Sequence, residues 1–140
     1  MIRSTLMAFG VALVATTSHA DDVANTRAEM EAMVGAVPSF VDGVADAALP
    51  GMWMTLKGLT FNPNTALDPK TKALVSLAVS AQIPCEYCIY MDTGAARQAG
   101  ATDQEIAEAV AVAAQTRAWS TIFHGTQVDI ERFKAEMGGS

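Results

Sequence analysis

The sequence holds two cysteines, Cys85 and Cys88, in the stretch Pro84-Cys85-Glu86-Tyr87-Cys88, and no third. With no other thiol to pair with, a dithiol/disulfide couple is the chemistry these residues offer. Positions i and i+3 share one face of a helix, so a short rotation brings the sulfurs to bonding distance with little backbone movement. Pro84 stands just before the pair and an unbroken helical pattern follows it, which predicts Cys85 in or beside the first turn of a helix. At that end, free N–H groups and the macrodipole favour a thiolate over a thiol.

Other uses of the two sulfurs are excluded in turn. Covalent haem attachment needs a histidine directly after the second cysteine, and Ile89 stands there. A structural zinc needs four ligands, more than two cysteines and one distant histidine supply within a subunit. A thioredoxin-like domain would place the motif after a strand, and no strand pattern precedes Cys85. The sequence calls for no cofactor and no metal. Met52 and Met54 have no neighbouring histidine or cysteine to complete a copper site, so they read with Met30, Met33, Met91 and Met137 as core or interface fillers.

The compartment is read from the first twenty residues. Arg3 supplies one positive charge, Leu6 to Ala15 is an almost unbroken apolar run, and Ser18-His19-Ala20 is a small-x-small cleavage site before Asp21-Asp22. This pattern predicts a signal peptide over residues 1–20 and a single mature domain over 21–140, periplasmic or secreted, where disulfides persist. The apolar run is shorter than the ~20 residues of a spanning helix, so no membrane span is expected after cleavage. Loss of Arg3 leaves eight basic residues against fifteen acidic ones and takes the net charge from −6 to −7. Such a surface excludes a nucleic-acid partner. His124 becomes the sole histidine of the mature chain.

The elements that must position the sulfurs all read as helices. Val23 to Val34 has helical spacing and ends at Gly35; Pro38 starts a second helix to about Ala48 with Val37, Val41 and Val44 inward; Pro50 opens a third that stops near Gly58. Phe61-Asn62-Pro63-Asn64 reads as a loop. Asp68-Pro69 is an N-cap with proline at the first helical position, followed by a stripe of Leu74, Leu77, Ala78 and Ile83 predicted to be buried. The cysteine helix should run from about Pro84 to Gln98 and end at Gly100. Thr102 and Glu105 form a capping-box pattern opening a long alanine-rich helix, with a break or bend expected around Trp119 to Ser120 and a last helix over Val128 to Met137. The small residues Ala107, Ala111, Ala113 and Ala114 allow close helix approach, so the expected architecture is an all-α bundle of about six helices.

From Asp68 to Phe133 the chain resembles the carboxymuconolactone decarboxylase superfamily, in the branch that contains alkyl hydroperoxidase D. The resemblance is carried by Asp68-Pro69-Lys70-Thr71-Lys72-Ala73-Leu74-Val75, by Cys85-Glu86-Tyr87-Cys88-Ile89-Tyr90, and by Ala96-Arg97-Gln98-Ala99-Gly100-Ala101-Thr102 leading to Glu105-Ile106. It implies the all-α fold of that branch and assembly as a homotrimer or homohexamer. It also implies peroxide reduction in which Cys88 attacks, Cys85 resolves, and an external thiol reductant restores the pair. The substrate would be a peroxide or a disulfide. The decarboxylase activity that names the superfamily depends on acid/base residues this chain lacks.

Two departures from the peroxidase pattern bear on that expectation. The pattern has histidine four residues after the second cysteine, where Asp92 stands here, and glutamate in the preceding helix about where Ala73 stands. Both ends of the proton relay implied by the resemblance are therefore replaced. Asp92 shares the cysteines' helical face, and an ionised carboxylate near a sulfur disfavours thiolate. His124 is the candidate replacement base. Arg117 is a candidate cation to offset Asp92, and Tyr87, Tyr90, Trp119 and Phe123 are either pocket-lining or ordinary packing residues. Cys85, Cys88, Asp92 and His124 make up the candidate site. The alternative function is a non-catalytic oligomeric scaffold or ligand-binding protein with a permanent Cys85–Cys88 disulfide.

Overall fold

A computed structural model describes residues 14–138, so most of the leader assigned to residues 1–20 lies outside the described residues. Among the described residues every regular element is helical: α1 (Val14–Val34), α2 (Leu49–Thr55), α3 (Pro69–Gln82), α4 (Glu86–Gln98), α5 (Asp103–Gly125) and α6 (Ile130–Glu136). None of these helices is long and apolar enough to cross a membrane. The elements gather into two compact units divided between Phe61 and Asn62.

In the first unit, Met30 of α1, Val41, Leu49 and Trp53 form the core, with Val23, Val37 and Val44 packed against it. The helix expected from Pro38 to Ala48 is not there. Pro38 is extended, Ser39–Gly43 makes a short 3₁₀ segment, and Val44 is extended again. Gly43 and the β-branched Val44 disfavour continuation, and the N–H of Val41 and that of Val44 bond three residues back at 3.0 Å, the tighter pattern. The third predicted helix is α2, prolonged by one π-helical turn over Leu56–Thr60.

The second unit holds the cysteines. α3 begins as expected: Asp68 is the N-cap, its carboxylate accepting from the Thr71 N–H at 3.0 Å and the Thr71 hydroxyl at 2.6 Å. α3 packs on both α4 and α5. The contact is built on small residues, Ala73, Ala96 and Ala101, flanked by Leu74 and Ile106, and Ala96 is wholly enclosed. Leu77 is also fully buried, contributing about 1.5–3 kcal/mol by its burial. Ile83, expected in the same stripe, is instead 62% exposed. It lies beyond the last helical residue, Gln82, where the 3.6-residue period no longer sets its direction. Of the methionines, Met30 is core, whereas Met33, Met52, Met54, Met91 and Met137 are exposed on the single chain.

Just past the end of α4, Gly100 has a φ of +85°, the left-handed conformation glycine adopts freely. The capping box at the start of α5 is complete: the Glu105 N–H donates to the Thr102 hydroxyl at 3.1 Å and the Thr102 N–H to the Glu105 carboxylate at 2.7 Å. α5 then runs unbroken through Trp119 and Ser120, so of the expected break or bend the break is not there. Trp119 stacks on Phe123 one turn later, centroids 5.6 Å apart, a contact that supports the helix from within, while the Thr121 hydroxyl bonds back to the Arg117 carbonyl at 2.9 Å without interrupting it. Asp129 caps α6, and Phe133 packs against Phe123 at 5.2 Å.

Candidate active site

The site is set by the turn between α3 and α4. Ser80, in the last turns of α3, is almost fully buried, and its carbonyl accepts the N–H of Cys85 at 3.1 Å. The Ser80 hydroxyl donates back to the Leu77 carbonyl at 3.0 Å, so it needs no other partner. Cys85 is therefore held in an extended conformation, φ −89° and ψ 97°, as the N-cap of α4. Its Sγ accepts the Cys88 N–H at 3.3 Å, the position a serine or aspartate oxygen takes in an ordinary cap. The Cα atoms of Cys85 and Cys88 are 5.3 Å apart, and the two sulfurs form a disulfide. Both residues are partly exposed.

Asp92 lies one turn after Cys88 on α4, half-buried, and its carboxylate makes no hydrogen bond or ion pair among the described residues. Glu86, in the first turn, is exposed. Ala73 sits in the small-residue contact with Ala96 and Ala101, so the position where the resemblance implies a glutamate is closed core here. His124 is exposed in the last turn of α5, and no hydrogen bond or ion pair joins it to the cysteines. Arg117 is likewise exposed and forms no ion pair among the described residues. Tyr87 and Tyr90 are 76% and 83% exposed, so neither is packed on the single chain.

The structure thus brings Cys85 and Cys88 together, sets Asp92 beside them on the same helix, and gives His124 no link to them. Ser80 was missed by sequence reasoning. A lone serine at helical spacing from Leu77 carries no motif, and its part is played by a main-chain carbonyl that any residue type possesses. Among the described residues no group of three or more histidine, cysteine or acidic side chains is placed to hold a metal ion.

The displaced protonation equilibria in this unit are architectural. The Lys70 ammonium bonds the Glu105 carboxylate at 2.7 Å, holding Glu105 below the usual carboxylate range and Lys70 above the usual amine range, and tying the start of α3 to the start of α5. The Thr71 hydroxyl and N–H hold Asp68 low in the same way. In the first unit a cavity of about 270 Å³ has Glu29, Trp53 and Lys57 on its wall. Glu29 there accepts from both Lys57 and the Trp53 indole N–H, and those bonds hold its carboxyl low.

Comparison with known proteins decides the family. Residues 47–129 match the model of the carboxymuconolactone decarboxylase family. The chain belongs to that family, in its AhpD-like branch. Over 83 residues, 59% of the chain, it is 35% identical to "Uncharacterized protein 4 in cox locus" from Paracoccus denitrificans, covering 74% of that relative. Over 75 residues, 54% of the chain, it is 35% identical to the alkyl hydroperoxide reductase AhpD of Mycobacteroides abscessus, of which it spans 40%. The crystal structure of the alkylhydroperoxidase AhpD core from Rhodospirillum rubrum superposes with a TM-score of 0.67 at 26% identity, covering 89% of this chain and 98% of that one. The all-α fold is that of the AhpD-like proteins.

Proposed function

We propose that this protein is an exported thiol–disulfide oxidoreductase of the AhpD-like branch that reduces peroxides through the Cys85–Cys88 dithiol. The observation that carries the reading is the disulfide itself, closed across the first turn of α4 with both cysteines partly exposed. In the reduced protein, one thiolate attacks the terminal oxygen of a peroxide; the O–O bond breaks, the alkoxide takes a proton and leaves as the alcohol, and the sulfur becomes a sulfenic acid. The second thiol condenses with it, releasing water and forming the disulfide. The pair has then lost two electrons, and an external dithiol returns them by exchange.

The test is a coupled assay of the mature protein, residues 21–140, with a dithiol reductant and either hydrogen peroxide or an organic hydroperoxide. Consumption abolished in a Cys85→Ser/Cys88→Ser double variant supports the proposal; wild type no faster than that variant ends it. A reduction potential of the pair below about −300 mV would favour a permanent bridge instead.

Export rests on the leader pattern over residues 1–20, and amino-terminal sequencing of protein from the producing cell should begin at Asp21. Assembly as a homotrimer or homohexamer is supported by apolar side chains left open on the single chain, among them Val112 at 62%, Trp119 at 49% and Ile122 at 48% exposed. Light scattering on the purified protein gives the subunit number directly.

A further inference from the structure

We infer that Cys85, not Cys88, is the attacking thiolate of the reduced pair, the reverse of the order implied by the family resemblance. This inference rests on the redox reading proposed above. Cys85 caps a 13-residue helix, and its Sγ already accepts the Cys88 N–H at 3.3 Å. A negative sulfur at that place gains a charge-assisted hydrogen bond and lies at the positive end of the helix dipole. The bond from the Cys85 N–H to the Ser80 carbonyl fixes the residue there when the disulfide opens.

Cys88 has the opposite surroundings. It lies inside the first turn, where its own N–H is spent on Cys85, and Asp92 follows it by one turn. Residues four apart on a helix have Cβ atoms roughly 5–6 Å apart, whereas Asp92 is seven positions, about 10 Å of helix rise, beyond Cys85. The carboxylate therefore opposes charge on Cys88 more than on Cys85. Cys85 attacks, and Cys88 resolves. With a disulfide substrate, the Cys85 thiolate displaces one substrate thiolate to form a mixed disulfide. Cys88 then attacks the Cys85 Sγ, the second substrate thiolate leaves with a proton, and two electrons have passed from the pair to the substrate.

The experiment treats the reduced mature protein at pH 7 with substoichiometric iodoacetamide and locates the label by peptide mass spectrometry. Cys85 should carry on the order of tenfold more label than Cys88. In parallel, Cys88→Ser should trap a mixed disulfide with an aromatic disulfide reagent, whereas Cys85→Ser should react about tenfold more slowly. Replacing Asp92 with asparagine in the Cys85→Ser background should speed that slow reaction. Equal labelling, or Cys88 labelled first, overturns the assignment while leaving the redox reading intact. A native disulfide that resists excess dithiothreitol overturns both.

Discussion

Replacing Ala73 with glutamate would put back the acidic residue that the peroxidase pattern has at about that place, and the packing around Ala73 sets what this should cost. Ala73 is 8% exposed and lies against Ala96, wholly enclosed, and Ala101, 9% exposed. Forcing extra side-chain atoms into a packed contact costs about 1–3 kcal/mol. A carboxyl left without a partner there adds roughly 1–3 kcal/mol more, and it stays protonated or drives the helices apart. The expected loss is ~2–6 kcal/mol against a total stability of about 5–15 kcal/mol. For a unit of ~80 residues, from Asn62 to Ser140, a loss of ~3 kcal/mol lowers the melting temperature by roughly 12–24 °C. Urea denaturation of the oxidised protein, residues 21–140, followed by far-ultraviolet circular dichroism, measures this, with Ala73→Ser as the small-residue control. An Ala73→Glu protein within about 0.5 kcal/mol of wild type would mean that the longer stem reaches solvent past Ala96, and the claim of a closed contact would be wrong.

Further expectations follow from the caps and charges. Removing the Thr102 hydroxyl as Thr102→Ala should cost about 1 kcal/mol, read as a lower urea midpoint with unchanged slope. Gln127 stands at φ +53°, a left-handed position after α5, so Gln127→Gly should raise stability by up to about 1 kcal/mol, and a lowered melting temperature would contradict that reading of the cap. Glu105 is held low, so its contribution is present above the ordinary carboxylate pKa of 4.5 and is lost as pH falls through the lowered value. Lys70 is held high, so its contribution is present below 10.5 and is lost as pH rises through the raised value. The melting-temperature gap between wild type and Glu105→Gln should therefore be widest between those limits and narrow on the acid side, and a gap that widens toward pH 3 would refute the Lys70–Glu105 assignment.

Much of this fold is legible where one residue type answers one backbone need. Asp68 before Pro69, the Thr102/Glu105 pair and Gly100 each satisfy a helix terminus locally, and each sits where the sequence places it. Cys85 at the mouth of α4 is legible for the same reason, because Pro84 and the helical pattern after it leave few alternatives. The sequence misleads where one local signal opposes another, and it is silent where a contact between segments decides. Pro38 looked like a helix start, but Gly43 and Val44 cut the segment to one 3₁₀ turn. Propensity alone puts a break or bend at Trp119 and Ser120, and the Trp119–Phe123 stack keeps the helix continuous there. The closed contact at Ala73 belongs to three segments of chain, and no local pattern carries it. Neither does the Ser80 carbonyl under Cys85, since main-chain acceptors leave no trace in residue identity.

That Ser80–Cys85 bond uses main-chain atoms alone, and none of them takes part in the sulfur chemistry. In the proposed redox cycle, opening or closing the bridge breaks neither end of that bond, so the exchange of electrons calls for no large change of shape at the α3–α4 corner. Under the proposed function, a reductant would meet the same backbone contour at that corner in both states and would tell them apart by the sulfurs themselves.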